Sequence, residues 1–159
     1  MKPKISLEIR EAVLADLDEI YEIEIECFIE EAFTYHQLEY CLRSPDFVTL
    51  IASVNGETAG FISGLFEDSR KRIVGHVHTL DVKRKFRRMK IGSALLEALE
   101  KIFLNKGAEK CYLEVRVDNV AARRLYLKHG YRPEKIFRNY YGSGLDAVRM
   151  EKNLWRKNV

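Results

Sequence analysis

Ile5, Leu7 and Ile9 alternate with Ser6, Glu8 and Arg10, and this period of two predicts a half-buried opening strand. From Leu17 the period lengthens: Leu17, Tyr21, Ile25 and Phe28 fall on one helical face, behind a capping-box pattern at Asp16-Leu17-Asp18-Glu19. Most acids of this helix are expected to face away from that stripe, into solvent. A second short helix is predicted from about Thr34 to Arg43 and ends before Pro45, because a residue preceding proline is driven out of helical conformation. Val48–Val54 and Thr58–Phe66 flank Asn55-Gly56, a strong hairpin signal, and Ile73–Val82 reads as a further strand. A helix follows from Ile91 to Asn105, with Leu95, Leu99, Ile102 and Phe103 on one face and Gly107 placed to stop it. Cys111, Leu113, Val115 and Val117 then alternate with Tyr112, Glu114 and Arg116. Asp118-Asn119 caps a helix from about Val120 to His129, closed by Gly130, and the stretch to Leu154 predicts two strands around a turn at Gly142-Ser143-Gly144. The order β-α-α-β-β-β-α-β-α-β-β predicts a mixed α/β fold, one domain over residues 1–159 with helices packed on a sheet.

The length of 159 residues suits one domain, and 47% hydrophobic residues suffice for its core. No apolar run approaches ~18 residues, so no membrane span is expected. The start, Met1 to Glu8, lacks the apolar region of a secretory signal, and a cytoplasmic location is expected. Cys27, Cys41 and Cys111 are odd in number and widely spaced, which suits packing in a reducing compartment rather than a disulfide framework.

Charge changes the picture more than composition does. The chain carries 27 Lys and Arg against 24 Asp and Glu, but residues 83–90 hold six of the bases and no acid. The first 34 residues reverse the balance, with ten acids against three bases. One concentrated cationic segment between a strand and a helix points to a small anionic ligand. A helix opening adds amides without intrahelical acceptors and a partial positive charge, which together receive phosphate well. Neither G-x-x-x-x-G-K-[ST] nor G-x-G-x-x-G is present. A solvated basic loop is the plainer alternative. A nucleic-acid module is disfavoured by the acidic remainder and by the lack of stacking aromatics beside the bases.

Phe86-Arg87-Arg88-Met89-Lys90-Ile91-Gly92-Ser93-Ala94-Leu95-Leu96 resembles the R-x-x-G-x-G/A acetyl-CoA pyrophosphate loop and helix of the GNAT acyltransferases. Asn119-x-x-Ala122-x-x-Leu125-Tyr126-x-x-x-Gly130-Tyr131 is similar to the family's N-x-x-A-x-x-x-Y-x-x-x-G-[FY] segment. Gly75-His76-Val77-His78-Thr79-Leu80-Asp81-Val82 and Arg138-Asn139-Tyr140-Tyr141 resemble the protein N-terminal acetyltransferases of the bacterial ribosomal-protein and archaeal types. The likeness runs from the opening strand to Leu154. It departs from the family at Lys90, which stands where the first glycine of the loop usually sits. A side chain there either crowds the pyrophosphate or is carried outward as one more cation.

The resemblance implies a GNAT fold, a largely antiparallel sheet of six to seven strands with about four helices. It also implies acetyl transfer from acetyl-CoA to the α-amino group of protein N-termini. By the same likeness Glu114 serves as general base, usually through water, with His76 a second candidate, and Tyr126 protonates the departing sulfur. Acetyl-CoA falls to Leu80, Asp81, Val82, Arg87, Arg88, Met89, Lys90, Ile91, Gly92, Ser93, Asn119, Ala122 and Tyr126. The acceptor peptide falls to Phe28, Ile29, Glu30, Phe33, Tyr140 and Tyr141, with ribosomes or nascent chains as partners. An α-amino group titrates near ~7.7–8.0, so a weak base suffices to free it. His76 and His78 share one strand face without a third ligand of matching type nearby, and no metal is expected. The residues alone leave plainer roles open: a solvated Glu114, a core-edge Tyr126, and a core closed by Phe28 and Phe33. A GNAT enzyme acting on a small-molecule amine is the alternative reading of the whole.

Overall fold

A computed structural model describes residues 4–69 and 71–154. Met1 to Pro3, where the expected cytoplasmic start falls in part, lie outside the described residues. The strands are β1 (Leu7–Glu11), β2 (Phe47–Val54), β3 (Glu57–Ser69), β4 (Arg72–Val82), β5 (Lys110–Arg116), β6 (Arg132–Phe137) and β7 (Ala147–Asn153). The helices are α1 (Leu17–Cys27), α2 (Tyr35–Arg43), α3 (Ile91–Asn105) and α4 (Val120–Lys128), and short 3₁₀ turns precede α1 and α3. This is the predicted element order. The strands form one sheet in the order β1-β2-β3-β4-β5-β7-β6, mostly antiparallel. β4 and β5 pair in parallel, Val74 opposite Lys110 through Val77 opposite Leu113, and α3 is the crossover that a parallel pair requires.

Contacts divide the chain into two compact units, one of residues up to Gly64 with Thr79–Leu99, the other of Leu65–His78 with the chain from Glu100 onward. In the first unit Leu17, Ile20, Ile23, Leu38, Ile51 and Phe61 form the buried cluster. This corrects the phase of α1. Its buried residues are Leu17, Ile20, Ile23 and Glu24, while Ile25 is 49% exposed. One acid of this helix, Glu24, therefore faces inward. The predicted cap also differs: the Asp16 carboxylate accepts from Val13 N–H at 2.7 Å and from the Arg10 guanidinium at 2.9 Å, and makes no cap bond to α1. Thr34 does cap α2, accepting from Gln37 N–H while the Gln37 side chain accepts from Thr34 N–H. β1 is an exposed edge rather than half-buried, since Ile5 and Leu7 stay accessible.

In the second unit β5 alternates over Cys111, Leu113 and Val115, all buried, but Val117, expected on the same face, lies past the strand end and is exposed. Gly75 on β4 lies against the Phe103 ring so closely that a Cβ would overlap it. Gly130 has φ +92°, which only glycine adopts without cost, and Tyr131 N–H reaches back to Tyr126 O at 3.0 Å to close α4. Among the described residues no helix is long and apolar enough to cross a membrane.

Candidate active site

Within the first unit, β4 ends in a basic turn that opens α3. Phe86 is buried and anchors the turn, and Lys83 N–H donates to Ala59 O at 2.8 Å. Lys85 binds the Glu57 carboxylate at 2.9 Å and Arg87 Nε donates to Val82 O at 3.4 Å, and both are exposed, as are Arg84, Arg88 and Lys90. Arg88 (φ 64°) and Lys90 (φ 60°) both adopt the left-handed conformation. Ala94 N–H donates to Lys90 O at 3.1 Å, so the helix starts directly from this strained pair. Lys90 thus takes the glycine conformation, and its side chain is exposed. Ile91 is buried, Met89, Gly92 and Ser93 are half-buried, and Leu80 and Val82 flank the buried Asp81.

The turn between α1 and α2 belongs to the same unit. Ile29 is 89% exposed and Glu30 is exposed, whereas Phe33 packs against the core cluster and so partly closes it. Phe28 is half-buried, and its N–H donates to Glu24 O at 3.0 Å.

Within the second unit, β3, β4, β5 and β7 build a polar cluster around His76. Its Nε2 lies 3.0 Å from Glu114 Oε1 and its Nδ1 3.4 Å from Glu67 Oε1, so each ring nitrogen faces a carboxylate. The ring stacks on Tyr112 at 4.1 Å with an interplanar angle of 14°, and His78 lies 4.4 Å away on the same strand face. Tyr112 O–H donates to Glu67 Oε1 at 2.7 Å. The Glu114 side chain is 4% exposed, not solvated, and accepts from Tyr140 O–H at 3.1 Å, with Arg149 Nε at 3.7 Å. Burial resists its ionisation, but the His76 bond and charge, Arg149 and Tyr140 prevail and hold its carboxyl below the usual range. Burial, then the neighbouring His76, pushes His78 down to about 4, which keeps that ring neutral. Burial and Glu114 push the Tyr140 phenol up.

The predicted residues Glu114, His76, Tyr140 and Tyr141 therefore meet, Tyr141 O–H donating to Glu114 O at 3.0 Å. Both tyrosine hydroxyls bind Glu114 itself. Tyr126 is buried on α4 with its ring 5.6 Å from Tyr131 and edge-on to it. Asn119 accepts from Ala122 N–H at 3.1 Å as the cap of α4, which commits its side-chain oxygen to the helix. Sequence reasoning missed Glu67 and Arg149. Glu67 lies just past the predicted strand end at Phe66, and Arg149 meets Glu114 only through the β5–β7 register. Burial, first, raises the thiols of Cys27 to about 11 and Cys111 to about 12, so both stay protonated.

A strand that runs through a basic turn into a helix, with a parallel strand beside it, fits an enzyme of the acetyltransferase class. The chain belongs to the acetyltransferase (GNAT) family, whose model matches residues 17–131. It is 37% identical over 145 residues to an uncharacterized N-acetyltransferase of Methanocaldococcus jannaschii, covering 91% of this chain and 90% of that one. It is 36% identical over 151 residues to an N-alpha-acetyltransferase of Sulfurisphaera tokodaii, covering 89% and 90% respectively. The solved structure of Ard1 from Thermoplasma volcanium superposes with a TM-score of 0.84 at 28% identity, covering 94% of this chain and 99% of that one.

Proposed function

We propose that the whole chain acts as one acetyltransferase domain that moves the acetyl group of acetyl-CoA onto the α-amino group of protein N-termini. The observation that carries this reading is the Glu114 carboxylate, buried to 4% exposure yet bonded to an imidazole and a phenol on other elements. A buried acid gathered in this way suits proton handling better than it suits core packing. The likeness to the N-alpha-acetyltransferase of Sulfurisphaera tokodaii supports the choice of acceptor.

In this reading the amine nitrogen attacks the thioester carbonyl, the new C–N bond forms and the C–S bond breaks. The proton of the amine passes to the Glu114–His76 pair, and Tyr126 gives its hydroxyl proton to the departing sulfur. Glu67 faces the second nitrogen of His76 and fixes the ring. Amides near Leu80 and Val82 stabilise the oxyanion, since a donor aimed at developing charge acts in the transition state. The turn of Arg87 to Ser93 takes the pyrophosphate, with Asn119 and Ala122 at the cofactor arm. Phe28, Ile29, Glu30, Phe33, Tyr140 and Tyr141 take the peptide. The reaction needs no metal, and its place is the cytoplasm, on nascent or finished chains.

A panel of peptides differing in their first two residues, assayed beside free amines for release of the CoA thiol, tests the proposal. Peptides are expected to turn over, with the acetyl group on the α-nitrogen by mass spectrometry. Turnover of free amines alone would overturn it in favour of a small-molecule enzyme.

A further inference from the structure

The turn 28–34 is fastened to β4 by side chains that the proton-transfer chemistry does not use. Glu24, Thr79 and Asp81 are 1%, 6% and 1% exposed, all within the first unit. Glu24 Oε2 accepts from Phe33 N–H at 3.0 Å, and Glu24 Oε1 lies 2.8 Å from Thr79 Oγ1. Thr79 Oγ1 also lies 2.6 Å from Asp81 Oδ1. A hydroxyl has one proton to donate, so it cannot serve two ionised carboxylates at once. The cluster therefore holds a second proton. Burial, and then the charge of Glu24, push Asp81 well above the usual carboxylate range and keep that proton on Asp81. Thr79 O–H thus sits between the two carboxyls, with Phe33 N–H closing on Glu24 from the turn. Asp81 Oδ2 is buried without a hydrogen-bond partner, which costs far less on a protonated acid than on a carboxylate.

We infer that Glu24 is a positioning residue for the acceptor: it locks the turn 28–34 onto the end of β4 without touching the peptide itself. This rests on the reading of Phe28, Ile29, Glu30 and Phe33 as the acceptor side. Four things single Glu24 out from the other acids of α1. It alone is buried among them, it breaks the apolar stripe, its two oxygens take partners from two different elements, and one of those partners is a backbone amide of the turn. An acid retained at such a site has to repay its desolvation through those bonds, and the bonds here order the turn.

The test uses the full chain with Glu24→Ala, Glu24→Gln and Thr79→Val. Glutamine keeps an oxygen for Phe33 N–H and turns its amide to Thr79, so it preserves the tether; alanine removes it. Amide hydrogen exchange at Phe33 is expected to quicken about tenfold or more in Glu24→Ala and to stay within about threefold of wild type in Glu24→Gln. In kinetics, Glu24→Ala is expected to raise the peptide KM about tenfold while the acetyl-CoA KM stays within about twofold, with Glu24→Gln restoring the peptide KM. Thr79→Val removes one hydroxyl and is expected to raise the peptide KM about threefold, which keeps the test intact if Glu24→Ala does not fold. Unchanged exchange at Phe33 in Glu24→Ala, or both KM values rising together, would overturn the inference, as would an unaltered peptide KM in Thr79→Val. A wild-type enzyme that ignores peptides would sink the proposed function instead, and the exchange measurement would still decide whether Glu24 holds the turn.

Discussion

Lys90 pays a conformational penalty that a glycine at the same place does not. Its φ of 60° brings Cβ close to the carbonyl that follows, at about 1–2 kcal/mol for a residue with a side chain. Lys90→Gly is therefore expected to raise the thermal midpoint by a few degrees in calorimetry, despite the greater freedom it gives the unfolded chain. The same variant removes one cation from the turn and is expected to weaken acetyl-CoA binding severalfold. Glu114→Gln and Tyr126→Phe are each expected to lower turnover at least severalfold while acetyl-CoA still binds; wild-type rates in both would remove them from the mechanism. Glu114 also links stability to pH. Its folded value is depressed, so its contribution is complete above the ordinary 4.5 and is lost as pH falls through the lower folded value. Stability of Glu114→Gln is expected to depend less on pH below about 5 in acid titrations followed by circular dichroism.

Among elements, those whose periodicity was unbroken could be read directly: α3 begins and ends as predicted, and β5 buries its alternate residues. α1 could not. Leu17, Tyr21 and Ile25 make as good a stripe as Leu17, Ile20 and Ile23, and only the packing of α2, β2 and β3 selects the second. An acid in the winning stripe was invisible for the same reason, because its partners come from β4 and from the far end of the turn. Glu114 and His76 were legible as residues of a family pattern, whereas Glu67 and Arg149 entered through strand pairing that no local pattern encodes. Gly75 shows how an element's packing positions the chemistry. It seats Phe103 against β4 next to His76, so Gly75→Ala is expected to cost at least about 2 kcal/mol in denaturant unfolding and to lower turnover with it.

For the molecule as a whole, the charge map separates one cationic turn from an acidic remainder, and five cations of that turn stay exposed. Binding of acetyl-CoA is therefore expected to weaken severalfold between about 0.05 and 0.5 M salt, read by calorimetry, because exposed charges are screened over a few ångströms at high ionic strength. A salt-independent affinity would place the phosphates elsewhere. The order of strands has a consequence for biosynthesis. β5 takes its second neighbour from β7, and β6 is made first but stands beyond it at the rim. While a ribosome is still threading out Arg132 to Phe137, β5 therefore presents an open row of amides and carbonyls to the cell. A nascent chain arrested before Ala147 is exposed to edge-to-edge association there, until the last strand slides into the gap.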